Sequence, residues 1–378
     1  MKFIDALVSQ NCKRHNTVCG DTWVCEHSLN GTLFVVADGI GSGVYANIAA
    51  ITCASRIAEL YKFGISIREI SEMVASSMHR ARKEDIPFSA FTTVSILPDG
   101  QFTAYAYESP SPILIRDNWA SVLIPRFYTS GFEVIGEMTG ILREGDALMV
   151  FSDGVSQAGL GHGLGFGIGS DGVATFANKQ FHGGLQDPRA LPIQIMDMCK
   201  SVSGDRFEDD TTLGLLLCRT ADELAMLTGP PSKRALDSVI VKDFMELPGK
   251  KVVCGSTTAD IVSRELKREA TIVSRMKASP EYHIEGIDLV AEGAVTLNQA
   301  YNLLGEPVAE FYQGSPAETL CLMLMDADVI RFLVGNAQNA AHEDLFFRQI
   351  GVKARKAALT LISEKLVELG KLVVETLY

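Results

Sequence analysis

Four acidic segments, each set against an apolar run, are the parts of this chain that could do chemistry. They are "VCGDTW" around Asp21, "TLFVVADGIGSG" around Asp38, "LMVFSDGVSQA" around Asp153 and "FEDDTTLGLLL" around Asp209 and Asp210. A carboxylate at the margin of a buried strand is costly unless it is paired or bound to a cation. No Lys or Arg stands beside these acids to match them, so together they fit a shared cation site. All-oxygen ligands with no accompanying Cys or His pattern select Mg²⁺ or Mn²⁺ over zinc. The glycines after Asp38 and Asp153 permit sharp turns, and Gly39 could offer its carbonyl to a metal. Taken singly, each DG or GD reads as an ordinary turn. The ordered set of four carries the argument.

The elements that must position these acids are legible as blocks. "TWVCEHS" and "TLFVVAD" read as strands joined by the turn "LNG". A helix is expected from near Val44. A second opens with Ser66 and Glu69 at capping-box spacing and carries Ile67, Ile70, Met73, Val74 and Met78 on one side. The strands "FTTVSILP", "FTAYAYES", "SPILIRD", "ASVLIP" and "ALMVFSD" follow, then the Gly-rich "GLGHGLGFGIG". A helix in "RALPIQIMDMCKSV" and the strand "TTLGLLLCR" complete the half. Strands flanked by two pairs of helices predict a layered α+β domain with helices on the sheet faces.

The pattern lapses near Gly229-Pro230-Pro231, which marks a boundary. The expected organisation is a first domain over residues 1–219, a linker over 220–235 and a second unit over 236–378. That second unit shows strand-then-helix character in "GKKVVCGSTTADIVSREL", "GIDLVAEGAVTLNQAYNLL" and "ADVIRFLVGNAQNAAH", which predicts a smaller α/β domain. "TLCLMLMDADVIRFLVG" is interrupted by Asp326 and Asp328, so it reads as paired core strands rather than a membrane span. A last helix is expected to align Ala358, Ile362, Leu366, Leu369, Val373 and Leu377 in one stripe. That stripe packs on its own domain, with a homodimer seam as the alternative.

Composition narrows the function classes. The 378 residues suggest two domains, and 47% hydrophobic with 21% charged residues is ordinary for a folded chain. A net charge of −12 opposes a phosphate backbone. The basic clusters "CKRHN" and "KARKA" are too small to reverse this, so no nucleic-acid partner is expected. No targeting or membrane segment is visible, which predicts a cytoplasmic protein. Eight cysteines without a CxxC pair read as reduced thiols. Cys12, His15, Cys19, Cys25 and His27 are of types that bind zinc, but their irregular spacing favours packed thiols.

"VVADGIGSG", "MVFSDGVSQA" and "FEDDTTLGLLL" resemble the motifs of the PPM-type (type 2C) metal-dependent protein serine/threonine phosphatases. The similarity is to the bacterial branch typified by stage II sporulation protein E and the stressosome phosphatases. "VCGDTW", "ESPSPILIR" and "LREGDALMVFSDGV" fit the same branch, and the resemblance covers roughly residues 5 to 219. It implies a four-layer α-β-β-α sandwich for the phosphatase domain, ahead of the smaller α/β domain read from the second half. It implies two Mn²⁺ or Mg²⁺ ions, with Asp38 bridging them and Gly39 contributing a carbonyl. Asp153 and Asp209 would hold one ion and Asp21 would support the other. Asp210 stands where many relatives have Asn and is secondary. Asp38 and Asp153 are thereby the catalytic pair. Water activated between the ions would attack a phosphoserine or phosphothreonine of a regulatory protein, by analogy one of anti-anti-sigma type. Ile40 stands where eukaryotic members carry His, and Arg14 is the guess for a phosphate-binding arginine. Two alternatives stay open: a catalytically silent phosphoprotein-binding module, and a small-molecule metal phosphohydrolase.

In the second half, "GSTTADIVSREL" resembles the GTT turn after the first strand of DeoR-type sugar-phosphate-sensing domains. Ser256, Thr257 and Thr258 at a helix start suit a small anionic ligand, with a plain Ser/Thr helix cap as the alternative. A regulatory or ligand-binding role is the expectation for this unit.

Overall fold

Alternation decides the first unit. In Gly31–Gly39, Leu33, Val35 and Ala37 point to one face while Phe34 and Val36 point to the other, and all five are buried. A strand apolar on both faces must lie between two layers. The computed structural model places it so; it describes residues 1–41, 43–274, 281–307, 311, 314–337 and 353–378. The chain divides into two compact units, Met1–Thr220 and Ala221–Tyr378.

The first unit runs β1 (Lys2–Asn11), β2 (Asp21–Ser28), β3 (Gly31–Gly39), α1 (Val44–Lys62), α2 (Ile67–Lys83), β4 (Ser89–Ile96), β5 (Gln101–Tyr107), β6 (Ile113–Arg116) and β7 (Trp119–Val122). It continues with β8 (Arg126–Ser130), β9 (Glu133–Ile141), β10 (Ala147–Phe151), α3 (Asp153–Ser156), α4 (Gly169–His182), α5 (Leu191–Val202) and β11 (Thr211–Thr220). One antiparallel sheet has the order β2-β3-β4-β5-β9-β8, the other β1-β11-β10-β6-β7. Between them lie Phe34, Val36, Val94, Leu148, Val150 and Leu216. The outer face of the first sheet carries α1 and α2, through Ala50, Ile57, Ile70 and Val74. The outer face of the second carries α4 and α5, through Val173, Phe181, Ile195 and Met196. The four-layer α-β-β-α sandwich is thus borne out. Gly214 lets the sheets approach, because a Cβ there would lie 2.4 Å from the Phe34 ring.

Ser66 caps α2 by accepting the Glu69 N–H. Ile70, Val74 and Met78 are buried on that helix, whereas Met73 is exposed. In this unit three strands and two helices carried no element in the sequence reading. They are β1, β8, β9, α3 and α4. β1 pairs with β11 from Lys2 opposite Thr220 to Asn11 opposite Thr211.

The second unit contains β12 (Glu223–Thr228), α6 (Asp237–Glu246), β13 (Lys250–Cys254), α7 (Ser256–Leu266), β14 (Thr271–Ser274), β15 (Glu281–His283), β16 (Leu289–Ala291) and α8 (Ala294–Leu303). Then come α9 (Pro316–Asp326), β17 (Val329–Val334), α10 (Arg355–Glu368) and β18 (Leu372–Leu377). The sheet order is β14-β15-β16-β13-β12-β17-β18. β16, β13, β12, β17 and β18 are mutually parallel. Helices α6 and α7 pack on one face, and α8, α9 and α10 on the other, as an α/β unit requires.

Three expectations are corrected here. Residues 220–235 are not a linker: β12 lies inside them, in the middle of the second sheet and buried from Leu224 to Thr228. "TLCLMLM" is not a strand but part of α9. Its start carries a complete capping box between Ser315 and Glu318, and Leu320, Cys321 and Leu324 line the buried side. The last helix stops at Glu368, and Gly370, at φ +78°, turns the chain into β18, so Val373 and Leu377 belong to a strand. The helical character expected after Val334 falls on residues 338–352, outside the described residues.

Candidate metal centre

The five acids come from both sheets of the first unit at one end of the sandwich. Asp21 opens β2, and Asp38 stands directly opposite it near the end of β3. Asp153 opens α3 immediately after β10, and Asp209 and Asp210 immediately precede β11. Each acid therefore sits where a hydrogen-bonded strand begins or ends, and the pairing of strands within each sheet brings them together.

Hydroxyls from the second sheet fasten Asp21. Its Oδ2 accepts from Ser152 Oγ at 2.7 Å and from Thr212 Oγ1 at 2.8 Å. Ser152 Oγ in turn accepts the Thr212 N–H at 3.0 Å. Asp21 is only 2% exposed, and its other oxygen, Oδ1, is buried with no hydrogen-bond partner. Such an orphaned acceptor is expensive. Asp153 Oδ2 accepts from the Gln157 amide at 2.7 Å. Asp210 Oδ1 accepts the Lys13 N–H at 2.8 Å. Among the described residues, the one ion pair made by any of the five is Lys13 with Asp209, at 3.4 Å.

The electrostatics follow from five acids and one nearby ammonium. Burial, then the charges of Asp21 and Asp153, push Asp38 up to about 10. Burial pushes Asp21 up to about 6, against the lowering effect of the Ser152 and Thr212 hydroxyls. Burial also raises Asp209, with Lys13 opposing it. Carboxylates this crowded hold protons unless a cation replaces them. The donor chemistry, all oxygen with an orphaned Asp21 Oδ1, fits a hard divalent cation.

Glycines make the close approaches. A Cβ on Gly39 would lie 1.9 Å from the Ala46 carbonyl of α1, and one on Gly154 would lie 2.1 Å from the Asp210 carbonyl. The loop after β1 borders the site: the Arg14 N–H donates to the Phe207 carbonyl, and the Arg14 side chain is exposed. Ile40 is also exposed.

The cysteine–histidine cluster is divided by the structure. Cys12, Cys19 and Asp210 have ligand atoms within 4.8 Å of one another. His15 is exposed, while Cys25 and His27 contact each other on β2, where His27 stacks on Phe3. Burial and the nearby Asp21 charge push the Cys19 thiol up, which opposes thiolate ligation. All eight cysteines are free. In the second unit, Ser256 and Thr257 are exposed at the start of α7. Thr258 is buried, and its Oγ1 accepts the Gly229 N–H at 2.8 Å.

The sequence reading missed Ser152 and Thr212 as partners of Asp21. Their signal was slight: a hydroxyl residue directly before Asp153, and another inside the DDTT run.

Two antiparallel sheets between helix layers, with acids gathered from the ends of both, define a PPM-type phosphatase domain. The family model described as Stage II sporulation protein E (SpoIIE) matches residues 29–219, just over half of the chain. The chain belongs to that family. Among solved structures, it is 18% identical to the phosphatase domain, with a regulatory fragment, of SpoIIE from Bacillus subtilis. That match covers 58% of this chain and 64% of that one, at a TM-score of 0.49. The chain therefore spans less than two thirds of that structure. The RsbU and RsbW domains of a Mycobacterium tuberculosis protein are 16% identical over 64% of this chain and 67% of that one, with a TM-score of 0.48. RsbX in complex with magnesium is 18% identical over 57% of this chain and 98% of that one, with a TM-score of 0.42. No curated protein matches the sequence.

Proposed function

We propose that the first unit hydrolyses phosphoserine or phosphothreonine in a regulatory protein, with two Mn²⁺ or Mg²⁺ ions held by the five acids. The observation that carries this reading is the gathering of Asp21, Asp38, Asp153 and Asp209, with Asp21 buried and the others part-buried, against one ion pair with an ammonium among the described residues and with one Asp21 oxygen left without a partner. The charges of both Asp21 and Asp153 act on Asp38, which supports reading it as the carboxylate that would be shared between two ions. Asp153 and Asp209, with Asp210 beside them, would hold one ion; Asp21 and the Gly39 carbonyl would serve the other. Bound there, the ions would supply an acidified water and neutralise phosphoryl oxygens.

The protein's own groups do the rest. Ser152 and Thr212 orient Asp21 and keep its Oδ2 from rotating away. Gln157 does the same for Asp153. Lys13 and Arg14, on the bordering loop, are the positive groups available to an incoming phosphoryl dianion. By family analogy the substrate is a small regulator of anti-anti-sigma type.

Phosphate release from a phosphoserine protein or p-nitrophenyl phosphate, with and without Mn²⁺, tests the reading. Mn²⁺-dependent turnover that disappears in Asp153→Asn supports it. Mn²⁺ binding without turnover would make the unit a phosphoprotein-binding module, and absence of metal binding would overturn the reading.

A further inference from the structure

The second unit holds polar groups at one edge of its sheet that the fold leaves unsatisfied. From β12 the chain lays β13 and β16 on one side, then β17 and β18 on the other. In open parallel sheets, ligands bind at the carboxyl ends of the strands beside such a reversal. The ends in question are Thr228-Gly229 and Val334-Gly335. They lie close together, since a Cβ on Gly335 would be 2.2 Å from the Gly229 carbonyl.

Arg355, the first residue of α10, brings its guanidinium to this edge. Its Nη2 donates to the Gly335 carbonyl at 2.8 Å, and a Cβ on Gly229 would lie 1.9 Å from its Nη1. Its Nε is buried and has no hydrogen-bond partner, and the guanidinium pairs with no carboxylate among the described residues. Thr228 is fully buried, and its Oγ1 also lacks a partner. Strand alternation puts Thr228 on the same face as Leu224 and Met226, the face that α10 covers with Ala358, Leu359 and Ile362.

The start of α7 reaches the same point. Gly255 precedes it at φ +121°, and no side chain caps its first N–H groups. The Gly229 N–H donates to Thr258 Oγ1, which ties the end of β12 to the first turn of α7. Gly229 thus touches both the guanidinium and the helix start. Capping one carbonyl uses one of the five N–H donors of Arg355. A half-buried guanidinium without an anion, beside an orphaned hydroxyl and an uncapped helix start, is an arrangement that an anion completes.

We propose that this crevice binds the phosphoryl group of a small phosphorylated ligand, with Arg355, Thr228 Oγ1 and the first N–H groups of α7 as its donors. Planar guanidinium forks and helix N-termini both suit phosphoryl oxygens. Thr258 serves the backbone and shapes the crevice, whereas Ser256 and Thr257 stand at its mouth.

The test uses the full chain in EDTA with inorganic phosphate as the probe, at constant ionic strength, followed by ³¹P line broadening. Saturable one-site binding is expected, weakened at least tenfold by Arg355→Ala and several-fold by Thr228→Val. Lack of saturable binding would overturn the proposal, as would wild-type affinity in Thr228→Val. If Arg355→Ala does not fold, Thr228→Val decides alone, because it replaces an unpartnered hydroxyl by a methyl of the same shape.

Discussion

Asp21 and Asp38 face each other directly across β2 and β3, a cross-strand pair of acids with Asp21 buried and Asp38 half-buried. Such a pair opposes sheet formation unless protons or cations intervene. The site is therefore a place where the fold gives up stability that, on the proposed reading, a cation would restore.

Asp38→Asn should abolish Mn²⁺-dependent turnover, by at least about a hundredfold as for loss of a group that acts only in the reaction. The same substitution should stabilise the metal-free protein, because it removes the acid most strongly opposed by its neighbours. An increase in Tm of about 2 °C or more in EDTA is expected, the shift that about 1 kcal/mol gives a domain of this size. A fall in Tm would contradict the electrostatic account.

Stability without metal should decline as pH rises. Asp21 and Asp38 have folded-state values raised from 3.8 to about 6 and about 10. The folded chain thus binds more protons than the unfolded chain between those values. Their contribution is fully present below the unfolded value and is lost as pH climbs through the folded ones. Urea midpoints in EDTA should fall from about pH 4 through 6 and continue falling toward alkaline pH. Asp38→Asn should flatten the alkaline part, and saturating Mn²⁺ should reverse the trend above pH 6.

Ser152→Ala should leave the fold intact and weaken Mn²⁺ binding by about 10–100-fold, the usual effect of losing a group that orients a metal ligand. The variant removes a hydrogen bond to Asp21 Oδ2 and an acceptor for the Thr212 N–H. Calorimetric titration with Mn²⁺ checks this. Unaltered affinity would show that Thr212 alone positions Asp21.

Gly39→Ala should cost about 1–3 kcal/mol, as for overpacking elsewhere. The added methyl would meet the Ala46 carbonyl, which is backbone and can retreat only if α1 moves. Urea unfolding measures the cost, and a neutral result would mean that α1 shifts freely.

The fragment 1–220 should fold alone, while a fragment beginning at Ser232 should not. The latter lacks β12, which pairs with both β13 and β17 at the middle of its sheet. Circular dichroism of the two fragments distinguishes this boundary from a cut in the Gly229-Pro230-Pro231 turn.

Much of the first unit was legible because its signals are local. Each acid follows or precedes an apolar run, and glycine stands beside Asp21, Asp38 and Asp153, so the elements carrying Asp21, Asp38, Asp153 and Asp209 could be placed before their neighbours were known. The fastening of Asp21 was not legible. Ser152 and Thr212 are 131 and 191 residues away in the chain, and only the apposition of two sheets brings their hydroxyls to it. The errors in the second unit have a common origin in short, wholly buried elements. α9 buries six of its eleven residues, so its apolar run hides the helical period and only the Ser315–Glu318 cap reveals it. β12 hides in the same way, just before a Gly-Pro-Pro turn that outweighed it.

The ten-residue pairing of β1 with β11 joins the first strand of the domain to its last. On a chain made from its N-terminus, the second sheet stays open until residue 220 has emerged, and Asp209 and Asp210 arrive with that closing strand. A nascent chain can present Asp21 and Asp38 much earlier, but not the complete acidic set. On the proposed reading, metal loading would be coupled to completion of the domain, because the same zipper that seals the sandwich delivers the last two acids.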